Sequence, residues 1–306
     1  MIFSWQPMVQ KDFVAFVGLL GPKIVQVNDQ HWGEIRTFFY RPLLTRTEFR
    51  PGSIHPPRLS RLGGVQYAVP SDIEANSHIN WLLFDCTGEY SLTSLDKNRR
   101  RQVKLAARDF NLRCLTDVAA FKQQAYPVYL SFYQRTRYKV GDRRRDPTHF
   151  AEWADALFAI PNVLILGAYR NDVLSGVSLS YRVGDSVFYA TFFCNDDALD
   201  SYLSDLMLHT ARESAAADPG IARVVVGMFK GNRGLDDFYL LRGAKLVRQR
   251  ARLEINPVTR FLLQTLLPKQ YAHLLGHLPD RQSEPTDKST PVVTSVTSDQ
   301  TPPTRS

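Results

Sequence analysis

From residue 162 the chain runs through three stretches, "NVLILGAYR", "NDVLSGVSLSYRV" and "SVFYATFFC", separated by Asn171-Asp172 and Gly184-Asp185. Apolar and small residues recurring with period two place alternate side chains on opposite faces of a strand. Asn-Asp and Gly-Asp pairs tolerate the positive φ that tight hairpins need. The pattern predicts three antiparallel strands in a meander. Leu199 to Ala217 then reads as a helix burying Tyr202, Leu203, Leu206 and Met207. "IARVVVGMF" is a fully buried strand, Asn232 to Arg242 a helix, and "AKLVRQRARLEI" a last alternating strand. The order β-β-β-α-β-α-β belongs to an α+β fold with a mostly antiparallel sheet flanked by helices.

Upstream, "VQYAV" (65–69) and "WLLFD" (81–85) read as short buried strands, with Asn76, Ser77, His78 and Asn80 between them as polar loop or site residues. A helix is expected over about 95–110, with Ser94 as N-cap and Val103, Ala106, Ala107 and Phe110 on its apolar face. A second covers about 117–138, where Pro127 kinks it or starts a new one. A third has Asp146 as cap, Pro147 at its first position, and a core stripe of Phe150, Trp153, Ala154, Leu157 and Phe158. Residues 1–60 place no chemistry: an aromatic stretch with Trp32, Phe38, Phe39 and Tyr40 precedes the loop-like "RPGSIHPPRLSR".

Charge is concentrated. Between 95 and 145 there are fourteen lysines and arginines against four aspartates, a local excess of +10, so the rest of the 306-residue chain carries −2 of the formal +8. Arg100, Lys104 and Arg108 share one helix face at i, i+4 spacing. Arginine pairs phosphates bidentately and lysine adds a point charge, so this face is a candidate for a coenzyme 3′-phosphate, a tRNA acceptor stem or an acidic carrier protein. A solvated charged face is the structural alternative. Cys86, Cys114 and Cys194 are too few and too scattered for a disulfide framework or zinc cluster, and the seven histidines show no metal-ligand spacing. A reducing, cytoplasmic setting follows. The run from Phe13 to Leu20 lacks a cleavage site and abuts Asp12 and Pro22, so a buried element is expected there rather than an export signal. No apolar run approaches the roughly 18 to 20 residues of a membrane span.

"KGNRGLDDFYLLRGAK" carries the most specific pattern. Asn232, Leu235, Tyr239, Gly243 and Ala244 fall at the spacing N-x2-A-x3-Y-x3-G-F of the penultimate helix of GNAT acyltransferases. Together with "YSLTSLDKNRRRQVKLAARDF" and the helical middle, residues 81–256 resemble the Fem-like branch of that superfamily. The resemblance implies a reduced N-terminal GNAT-like half (1–92), a basic helical segment (93–160) and a catalytic GNAT-like domain (161–256). Periodicity adds an amphipathic helix interrupted at Pro268 (257–280), and the Ser, Thr, Pro and Gln content after it predicts a disordered tail (281–306). The resemblance also implies transfer of an acyl or aminoacyl group to an amine or hydroxyl of a small-molecule or envelope-precursor acceptor. Acyl-CoA or aminoacyl-tRNA would serve as co-substrate, with no tightly bound cofactor and no metal. Tyr239 would be the general acid, and Lys230 would stabilise a phosphate or oxyanion. Arg100, Lys104, Arg108 and the helix-capping Asn232 would stand on the donor side.

The chain departs from the pattern where the superfamily carries a glycine-rich pyrophosphate loop. "CNDDALD" has no glycine and three aspartates, which cap a helix start well but repel a pyrophosphate. Two other functions therefore stay open: a tRNA-dependent aminoacyl transferase, and an anion- or nucleic-acid-binding module without chemistry. Asp185, Glu213 and His209 are candidate bases, each with a simpler turn or helix-face role.

Overall fold

The computed structural model describes residues 2–44, 46–86, 88–136, 142–231 and 233–278, with Asp142 and Arg233 as backbone. The tail at 281–306, expected to be disordered, lies outside them. In chain order the elements are α1 (Gln10–Leu19), β1 (Ile24–Val27), β2 (Gln30–Arg36), β3 (Phe39–Pro42), β4 (Gly64–Ala68), β5 (Ser77–Asp85), α2 (Lys97–Asp109), β6 (Asn111–Cys114), α3 (Val118–Thr136), α4 (Pro147–Phe158), β7 (Val163–Arg170), β8 (Val173–Val183), β9 (Ser186–Cys194), α5 (Asp196–Asp200), α6 (Leu203–Ala216), β10 (Arg223–Met228), α7 (Arg233–Leu240), β11 (Lys245–Ile255), α8 (Pro257–Leu266) and α9 (Pro268–Leu274).

The strands form one sheet in the order β1-β2-β3-β4-β11-β5-β10-β9-β8-β7-β6. Pairing is antiparallel except at β3 with β4 and β9 with β10. The last strand, β11, enters between β4 and β5, so the C-terminal strand closes the sheet of the N-terminal part. The meander β7-β8-β9 forms as its turns predict. Asn171 and Asp172 both take positive φ (50° and 61°), as does Gly184 (57°), the backbone that two-residue hairpins require.

Several local expectations shift. The cap of α2 is Asp96, whose carboxylate accepts from the Asn98 and Arg99 amides at 2.8 and 2.9 Å. Ser94 instead forms a capping box with Ser91 in a short turn. Asp outcompetes Ser there because its charge meets the helix dipole as well as the amides. Ser77, His78 and Asn80 belong to β5, which extends well upstream of Trp81. Pro127 sits within α3 without ending it. The helix expected from Leu199 is divided, because Tyr202 takes a left-handed φ of 62° between α5 and α6. Asp146 and Pro147 start α4 as expected, the carboxylate accepting from Thr148 and His149.

Two layers cover the sheet. One packs α1, α3 and α4 on β7 to β9 through Phe16, Phe121, Phe150, Trp153, Tyr181 and Phe193. A second core joins α6 and α7 to β5, β9 and β10 through Phe84, Val187, Tyr189, Val224, Phe229 and Tyr239. α2 lies on α6 over Val103 and Ala106. These aromatic clusters bury large apolar areas and fix the relative placement of helices and strands.

Candidate functional site

The parallel pair β9 and β10 is joined for only three positions, from Arg223 opposite Ser186 to Val225 opposite Phe188. Beyond that, β9 continues to Cys194 beside β8 and β10 to Met228 beside β5. The cause is local. A bulge between Val225 and Gly227 breaks the β10 register, and Gly227 has φ +132°, which side chains disfavour. Two neighbouring parallel strands thus part, and a split opens between their carboxyl ends.

Tyr239 stands at this split. It is buried, and packs in one cluster with Val226 of β10 and with Tyr189, the first β9 residue beyond the last pair. The Tyr189 hydroxyl is sealed from solvent and makes no hydrogen bond of good geometry, with Ser178 the polar group beside it. Burial pushes its pKa well above the ordinary phenol value, and the neighbouring Tyr239 phenol pushes it the same way.

The placement of Tyr239 is enforced by charge. Arg242, just after α7, donates from Nε and Nη2 to the two Asp205 oxygens of α6 at 2.7 and 2.9 Å. Both side chains are buried, and Arg99 of α2 lies 3.8 Å from the same carboxylate. The Arg242 guanidinium also caps the Phe238 carbonyl at 2.8 Å and lies 3.5 Å over the Phe238 ring. Gly243 then takes φ +88° and the Ala244 amide returns to the Tyr239 carbonyl, closing α7 in the left-handed turn that glycine serves.

Lys230 is exposed directly after β10, and its backbone amide donates to Asp236 at 3.1 Å. Asp236 itself is buried, one turn before Tyr239. Asn232 lies outside the described residues. The structure therefore brings Tyr239 and Lys230 to the same end of β10. It sets Arg100, Lys104 and Arg108 on α2, which reaches α7 through Asp205. Lys104 and Arg108 are exposed, while half-buried Arg100 donates to the Leu95 carbonyl at 3.0 Å. At the start of α5, Asn195 caps the Ala198 amide and Asp196 is paired with Arg135.

The other candidate bases have structural partners. His209 bonds the Tyr90 hydroxyl at 3.1 Å and lies 3.7 Å from Glu213, and Asp185 pairs with Arg223 at 2.8 Å. A hollow of about 540 Å³ lined by Leu130, Tyr133, Gln134, Arg145 and Asp146 shares no residue with the β9/β10 split.

Sequence patterns gave no sign of a second group, built from four separate segments. Arg41 of β3 donates to Gln66 of β4 and, at 2.8 Å, to the sulfur of Met228 at the end of β10. Its Nε is sealed and has no partner, and no carboxylate among the described residues neutralises it. Desolvation brings its pKa down to about 10. Gln66 in turn donates to the Leu274 carbonyl of α9 at 2.9 Å. The adjacent His273 keeps solvent access, and its pKa is lowered by partial burial and then by Arg36, Arg41 and Lys230, with Asp236 opposing. A cation held without a counter-ion at the same strand end as Lys230 suits an anionic group.

No protein-family model matches the sequence, and no curated protein matches it. Solved structures do. The C-terminal domain of a putative lysylphosphatidylglycerol synthetase from Agrobacterium fabrum superposes with a TM-score of 0.54 at 9% identity, over 87% of this chain and 93% of that one. L-PGS from Bacillus licheniformis gives 0.51 at 11% identity, over 91% and 100%. A FemX structure gives 0.48 at 11% identity, over 66% and 74%. The chain shares the α+β fold of the first two structures, here a mixed and mostly antiparallel sheet flanked by helices.

Proposed function

We propose that the protein is an acyltransferase that moves an acyl or aminoacyl group from an activated carrier to an amine or hydroxyl of a small-molecule or envelope-precursor acceptor. The observation that carries this reading is the split between β9 and β10 with Tyr239 buried at its edge. A carrier thioester or ester enters the split. The acceptor amine or hydroxyl attacks its carbonyl carbon and gives up its proton to solvent, which in turn restores the Tyr239 hydroxyl after turnover, and the tetrahedral intermediate collapses as the carrier sulfur or oxygen leaves. The Tyr239 hydroxyl donates a proton to that leaving atom. Lys230 and Arg41, with His273 at the mouth, hold an anionic group of the acceptor or the developing oxyanion. Lys104 and Arg108 on α2 are the donor-side cations. Arg100 supports them by tying α2 to the preceding turn.

A second reading, an aminoacyl-tRNA donor, is favoured over coenzyme A by one observation. The first turn of α5 carries Asp196 and Asp197 where a coenzyme pyrophosphate would need amide donors free of negative charge.

Thermal shift of the full chain with acyl-CoAs, acyl carrier proteins and aminoacyl-tRNAs tests both. A donor at about a hundredfold excess over its Kd raises Tm by roughly 5 °C. Stabilisation by aminoacyl-tRNA alone selects the second reading. No shift with any donor sinks the transferase.

A further inference from the structure

We propose that α8 and the turn at 58–62 form a docking surface for an anionic lipid membrane. α8 begins soundly, with Asn256 accepting from the Val258 and Thr259 amides and Pro257 in the first turn, yet it has no buried residue. Val258, Phe261, Leu262 and Leu266 recur at i, i+3, i+4 and i+8, one stripe of a helix. They face solvent, with Phe261 65% and Leu266 70% exposed. The opposite side of the helix rests on the body through Leu263, packed with Phe39, Leu253 and Leu274.

The stripe has a neighbour of the same character. Leu59 and Leu62 are also exposed, and their segment is tied to the start of α8. Asn256 Nδ2 donates to the Arg61 carbonyl at 2.9 Å, and Thr259 Oγ1 to the Leu62 carbonyl at 2.6 Å. Two anchored segments thus present large apolar side chains together, more than scattered surface residues would.

Charge selects the occupant. Arg58, Arg61, Arg260 and Lys269 are exposed in these segments, and residues 56–62 and 257–278 contain no Asp or Glu. A symmetric contact between two copies would set this cationic rim against itself. An anionic bilayer surface instead accepts the apolar stripe below its headgroups and the arginines among its phosphates. Among the described residues no helix is long and apolar enough to cross a membrane, so attachment is interfacial. The inference stands apart from the proposed chemistry, since vesicle binding needs no turnover.

The test is co-sedimentation of the full chain with vesicles of phosphatidylcholine, alone or with about a quarter phosphatidylserine, at low and high salt. The wild type is expected to sediment with the anionic vesicles and to be released by salt. Phe261→Glu with Leu266→Glu should lower partitioning at least about tenfold, as should Arg58→Glu with Arg61→Glu. Unchanged circular dichroism and Tm, expected at exposed positions, show that the variants fold. Equal binding of wild type and the Phe261/Leu266 variant overturns the proposal, as does equal binding to neutral vesicles. It is also overturned if the wild type self-associates through this face and the variant disperses with no vesicle binding in either.

Discussion

Replacing Asp205 by Asn removes the anion that holds α7. In the folded protein Arg242 keeps both hydrogen bonds to that carboxylate, at 2.7 and 2.9 Å, with side chains only 9% and 6% exposed, and Arg99 adds a second cation 3.8 Å away. Removing one partner of a buried pair leaves the other charge uncompensated, which costs about 3 to 5 kcal/mol. That is a large share of a total stability of roughly 5 to 15 kcal/mol. At roughly 2 to 4 °C per kcal/mol, Tm should fall by about 10 °C. Urea unfolding followed by circular dichroism measures the loss. The double variant Asp205→Leu with Arg242→Met should recover most of it, because neither charge then remains to be desolvated. Turnover should stay low, since Tyr239 loses its anchor. A single-variant cost under about 1 kcal/mol, the range of exposed pairs, would refute the reasoning.

Three further outcomes follow from the same structure. Gly227→Ala places a side chain at φ +132° and should cost roughly 1 to 3 kcal/mol in urea unfolding; a change below about 0.5 kcal/mol would remove the strain from the account of the β10 bulge. Arg41→Met deletes a buried cation that has no counter-ion among the described residues, so stability should hold or rise while acceptor affinity falls at least about tenfold; unchanged steady-state affinity would clear Arg41 of that role. The pKa of buried His209 is lowered by burial, with Glu213 opposing. The unfolded chain therefore binds the proton first, and stability falls as pH drops from the ordinary histidine value through the folded one. His209→Gln should flatten that part of a Tm profile between about pH 5 and 8, and an unaltered slope would assign it elsewhere.

The C-terminal half was legible because its signals are local. Asn171-Asp172 and Gly184-Asp185 mark hairpins by backbone tolerance alone, Asp146-Pro147 starts α4, and Gly243 ends α7. The first sixty residues were not, because β1 and β3 have four residues each, too short for a period to show, and find their place only by pairing. The basic stretch was visible as a count, but its use was not. Arg99 lies by Asp205, Arg113 by Asp172, Lys122 by Asp155 and Arg135 by Asp196, pairings set by tertiary contact. Asp205 is a buried anchor in the first turn of α6, a place that exists only because the expected helix is divided at Tyr202. The Arg41 group draws on β3, β4, β10 and α9, so no local pattern announces it. The motif around Tyr239 was readable, whereas the split beside it depends on where β9 and β10 stop pairing.

The most direct test is acyl transfer by Tyr239→Phe, assayed by mass spectrometry with the donor that stabilises the wild type. The ring keeps its packing against Tyr189 and Val226, so folding and the donor-induced Tm shift should be unchanged. Loss of the hydroxyl should slow turnover by about 10²- to 10⁴-fold. Transfer within about twofold of wild type, at full donor occupancy, would contradict the assignment of proton donation to Tyr239 and the cleft built around it.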